Sequence, residues 1–123
     1  MMKELNLKLD YYGALNLHKA LLEAKFHAEP DNELVSGSPL VADVYIQVRD
    51  FLMESEKGED WRSWFQLKNR PHYRKRAIMR MKADDHWAKR TFEEKKQVAG
   101  NYLAPFLYGE EELAAVVSEA ETA

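Results

Sequence analysis

One stretch of this chain carries a clear three-and-four-residue apolar rhythm. Leu40, Val41, Val44, Tyr45, Val48, Phe51 and Leu52 form a continuous stripe, with Asp43, Gln47, Arg49, Asp50 and Glu54 around the rest of the circumference. That spacing predicts an amphipathic helix. Its start is marked too: Ser38 can accept from the free amides of the first turn, and Pro39 suits the first helical position, where no donor is needed. Upstream, Leu15, His18, Leu21, Leu22 and Phe26 share one face, predicting a helix over Tyr11–Ala28 with Asp10 as N-cap and Pro30-Asp31-Asn32 as its stop. The two helices are expected to form an antiparallel hairpin over a loop from Pro30 to Gly37. Leu5, Leu7 and Leu9 alternate in strand fashion, yet Leu5, Leu9 and Tyr12 also fit a helix.

The second half is punctuated more often. Gly58-Glu59-Asp60 breaks the chain, and Asp60 is placed to cap one or two turns over Trp61–Phe65. Pro71 can open a helix reaching to about Lys89, whose apolar stripe is poor. Thr91-Phe92-Glu93-Glu94 matches a capping box. The helix it starts carries Phe92, Ala99, Tyr102, Leu103 and Phe106 on one side, and Pro105 should kink or end it. Gly109 permits a turn, and Glu110-Glu111-Glu112 suits the positive end of a last helix bearing Leu113, Val116, Val117 and Ala120.

Composition agrees with the rhythm. Ala and Leu number 28, against 11 for Val, Ile and Thr together, which favours helix over strand. The expectation is an all-α, single-domain bundle of about five helices spanning 1–123, frayed near 1–9 and 119–123. With no cysteine there is no disulfide framework and no thiol nucleophile. No apolar run approaches the roughly 18 residues of a membrane span, and Met1-Met2-Lys3-Glu4 lacks a signal-peptide pattern, so a cytoplasmic location without membrane contact is expected.

Charge changes the picture more than composition does. Residues 1–60 hold 6 basic and 12 acidic groups, 61–100 hold 12 basic and 4 acidic, and 101–123 hold 5 acidic and no basic. Eight cations and no acid lie between Arg62 and Lys82. Aromatic residues are interleaved with them. The candidate binding face is therefore Trp61, Trp64, Arg70, Tyr73, Arg74, Lys75, Arg76 and Arg80. Such a face suits a protein partner, and this is the leading reading: a non-enzymatic adaptor, inhibitor or assembly factor. The same residues could track phosphates and stack on bases, so a nucleic-acid binder is the alternative. The bland reading is neutralisation of the patch by the acidic remainder of the chain. Self-association is a further expectation, because the helix with Ile78 and Met81 is too weakly amphipathic to stand alone.

Catalytic signals are sparse. No histidine has another four residues away, and there is no glycine-rich phosphate loop and no Gly-x-Ser-x-Gly elbow; no metal, cofactor or catalytic residue is assigned. His18, on an apolar stripe, reads as a satisfied core residue, and Asp84-Asp85-His86 as a solvated polar face. Arg80-Met81-Lys82-Ala83-Asp84-Asp85-His86, an arginine and a histidine with five residues between them, resembles the signature of HEPN-type helical ribonucleases. The resemblance implies metal-independent RNA cleavage, with Arg80 stabilising phosphate charge and His86 moving a proton in a cleft built by dimerisation. It covers seven residues, and Met81 stands where that family favours a polar residue.

Overall fold

The computed structural model describes residues 3–27 and 33–122. Its elements are helices: α1 (Tyr11–Phe26), α2 (Glu33–Ser36), α3 (Pro39–Met53), α4 (Gly58–Trp64), α5 (Pro71–Ala83), α6 (Phe92–Leu103) and α7 (Glu110–Glu121), with single 3-10 turns at Leu67–Asn69 and Trp87–Lys89. Among the described residues the only extended pairing is an isolated parallel bridge between Gln66 and Leu107. The chain is all-α.

Local chemistry explains most of the boundaries. Asp10 accepts from the Gly13 amide at 2.8 Å and starts α1. The helix ends at Phe26 because His27 turns extended; Ala28 and the Pro30-Asp31-Asn32 stop lie outside the described residues. Ser38 caps α3 through the Val41 amide, with Pro39 at the first position. Thr91 and Glu94 make both bonds of the capping box on α6. Residues Leu113, Val116, Val117 and Ala120 of α7 are all buried, and that helix runs on to Glu121.

Three boundaries differ from expectation. The connection between α1 and α3 holds the short helix α2. Gly58 does not break the chain but opens α4, whose N-cap position is Lys57 and not Asp60. A β-carbon at Gly58 would lie 2.0 Å from the Met53 carbonyl oxygen, so only glycine lets the chain fold back so closely there. Helix α5 stops at Ala83, well short of Lys89. The Asp84 carboxylate ends it by taking the His86 amide, the Arg90 guanidinium and the Tyr102 hydroxyl at 2.9, 3.0 and 3.3 Å. Asp84 is thus a nearly covered junction between α5 and α6, while Asp85 and His86 are exposed.

The core has two parts. Helix α1 packs on α3, and α5, α6 and α7 pack on one another. Between them sits an aromatic cluster around Phe65, wholly buried, with His18, Tyr45, Trp61, Trp64 and Phe106 at ring-centroid distances of 5.2–6.5 Å. Such edge-on and tilted contacts suit the positive rim and negative face of aromatic rings.

His18 is a satisfied core residue. Its Nδ1 shares a hydrogen bond of 2.6 Å with the Tyr45 hydroxyl. Burial, with Lys19 nearby, pushes its pKa down to about 4 from 6.5. The folded form therefore stays neutral while the unfolded form gains a proton as pH falls below 6.5. Stability should be fully present above that value and be lost on descent to about pH 4, by an amount on the order of 2 kcal/mol after solvent screening. Urea unfolding of the parent chain and of His18→Gln across pH 4–7 tests this, since the variant should lose the slope. Equal slopes in the two proteins would rule it out.

Candidate binding face

Helix α5 begins at Pro71 after Arg70, and its cations leave it in several directions, because neighbours on a helix point about 100° apart. Arg70 turns back to α4: its Nε donates to the Trp64 carbonyl at 3.0 Å and its guanidinium lies 4.7 Å from the Trp64 ring centroid. Arg74 turns to α7, where both terminal nitrogens pair with the Glu119 carboxylate. The pairing raises the pKa of Arg74 and lowers that of Glu119. Arg76 turns to the end of α1 and donates to the Phe26 carbonyl at 2.7 Å. Arg80, buried, donates to the His27 carbonyl. These two arginines place positive charge on the negative end of α1. Lys75 is exposed to solvent.

The aromatic members do not form a free platform. Trp61, Trp64 and Tyr73 are half-buried and pack against the core. Trp61 Nε1 donates to the Tyr11 hydroxyl at 2.9 Å. Tyr73 stacks on Phe106, with centroids 5.7 Å apart and planes 19° apart. Trp64 meets His18 edge-on at 5.0 Å and is covered by Arg70. The eight residues singled out in the sequence therefore divide into an interior aromatic group, two ties to α4 and α7, and a group facing the end of α1.

That last group lines a concavity of about 410 Å³ formed by His27, His72, Lys75, Arg76, Met79, Arg80 and Ala83. No acidic residue is among its described lining. A second groove of about 460 Å³, toward α7, shares Lys75 and Met79 with the first. Lys75 and Met79, one turn apart, thus form the ridge between two grooves, and Met79 is 60% exposed. The sequence reading missed His27, His72 and Met79. The available signal was the row His72, Arg76, Met79, Ala83 at three- and four-residue steps, a face of the helix rather than a run along the chain.

Arg80 and His86 are placed differently from one another. Arg80 is buried against the end of α1, whereas His86 is exposed beyond the Asp84 turn, and no described cavity is lined by both. Among the described residues no group of three or more His, Cys, Asp or Glu is arranged to hold a metal ion. No helix among them is long and apolar enough to cross a membrane.

No protein-family model, curated protein or solved structure matches the chain.

Proposed function

We propose that this chain is a cytoplasmic, non-enzymatic binding protein that docks an acidic segment of a protein partner on α5. Its scaffold in this reading is a single helical bundle with an N-terminal antiparallel hairpin. The observation that carries the proposal is the Lys75–Met79 ridge between two grooves, with Arg76 and His72 alongside. Carboxylates of the partner meet Lys75 and Arg76, and an apolar side chain between them lies against the polarizable Met79 thioether. Such an alternation suits a peptide better than a nucleic acid. Bases would need an open aromatic surface, and Trp61, Trp64 and Tyr73 are engaged with the core.

The test uses a labelled peptide alternating Glu with Leu, and single-stranded and duplex RNA of matched length, titrated by fluorescence anisotropy at about 50 and 200 mM salt. The peptide should bind more tightly than either RNA. Lys75→Glu combined with Met79→Glu should weaken it at least tenfold with helicity unchanged, since both side chains are exposed. Tighter binding of RNA with a steep salt dependence would replace this reading with the nucleic-acid one. Absence of binding to any probe at low salt would end both.

A further inference from the structure

A second surface lies away from α5. Residues 3–9 have neither helix nor strand, and they make no backbone hydrogen bond to another described residue. Leu5, Leu7 and Leu9 of this segment, with Val44 and Phe51 of α3, line a groove of about 670 Å³. Leu5 is 84% and Leu7 66% exposed, and Leu40, one turn before Val44, is 78% exposed. Leu9, Val44 and Phe51 are 40%, 44% and 44% exposed, so the segment and α3 together present an apolar face to water. Specific interfaces surround such an apolar centre with a polar rim, and Glu4, Asn6 and Lys8 are exposed beside these leucines.

We infer that the occupant of this face is a second copy of the chain, joined by antiparallel pairing of residues 4–8 across a two-fold axis. Free backbone donors and acceptors along such a segment are a template for another strand. The residue pattern is self-complementary in one register. With Asn6 opposite its own copy, Leu5 lies opposite Leu7 and Glu4 opposite Lys8, each twice over. The leucines then share one face against the α3 stripes, and the opposite charges pair on the other. A shift of one residue splits the leucines between faces. A shift of two toward the C-terminus sets Glu4 against Asp10, like charge against like. A foreign partner would not require the segment to be complementary to itself.

Sedimentation equilibrium of the full chain, from micromolar to sub-millimolar concentration, should give a mass tending to twice 14.4 kDa. Lys8→Glu should weaken association at least tenfold, and Glu4→Lys with Lys8→Glu should restore it to within about threefold. Both positions are exposed and outside the helices, so circular dichroism should not change. The chain has no cysteine, so Asn6→Cys should oxidise to a covalent dimer while Arg62→Cys on α4 should not. A mass of one chain at every concentration overturns the inference. So does a dimer indifferent to Lys8→Glu, or a double variant that stays dissociated.

Discussion

Phe65→Ala should destabilise the protein by about 3–5 kcal/mol, a large share of the roughly 5–15 kcal/mol that holds a domain of this kind together. Phe65 is wholly buried, and its ring touches His18 and Tyr45 from the α1–α3 side, Trp61 and Trp64 from α4, and Phe106 from the segment after α6. Its backbone adds a second tie, because its carbonyl accepts from the Leu107 amide while the Leu107 carbonyl accepts from Leu67. Those main-chain bonds hold the neighbours in place and keep them from closing on the void. The cost should therefore lie at the upper part of the range for a lost aromatic ring, not the lower. Phe65→Leu refills much of the space and should cost about 1.5 kcal/mol or less. Urea unfolding at 25 °C measures both, and tryptophan emission reports the loosening of Trp61 and Trp64. A loss under about 1.5 kcal/mol for Phe65→Ala would mean that this cluster is not what joins the two parts of the core.

The same residue marks the limit of what was legible in the chain. Caps and stripes are local, and the starts of α1, α3 and α6 and the buried face of α7 follow from residues within four positions of each other. The end of α5 is not local: Asp84 stops it by gathering Arg90 and Tyr102, six and eighteen residues away. Gly37 belongs to the same class, since a β-carbon there would meet the Tyr102 ring at 2.8 Å. The basic run is visible in the sequence, but its partition among α4, α7 and α1 depends on what each helix face meets. Arg74 and Arg76 are two residues apart and bond to elements that are distant in sequence. Half of the α3 stripe is also a tertiary matter. Tyr45, Val48 and Leu52 are buried, whereas Leu40, Val44 and Phe51 remain exposed.

Lys25 is the least legible residue and leads to the second large effect. Only 1% of it is exposed, and its Nζ donates to the carbonyls of Ser36 on α2 and Asn101 on α6 at 3.0 and 2.6 Å. Those partners lie 11 and 76 residues away. Burial first, and the Arg80 charge second, push its pKa down to about 7 from 10.5. The folded chain thus releases this proton near neutrality, while the unfolded chain holds it to pH 10.5. Between those values the unfolded state binds more protons, so stability rises with pH; below about 7 both states are charged and the burial cost is felt in full. From pH 7 to about 9.5 the gain should be on the order of 3 kcal/mol. Above about 10 the sign reverses, because burial raises the pKa of Tyr45 and the unfolded tyrosines ionise first. Urea unfolding in steps across this window should show the rise in the parent chain and a flat profile in Lys25→Met. The variant leaves the two carbonyls without their donor, which lowers its stability by a similar amount at every pH and leaves the slope interpretable. A parent profile that is level or falling from pH 7 to 9.5 would mean that the two carbonyls hold the ammonium charged in the folded state, against the direction argued from its burial.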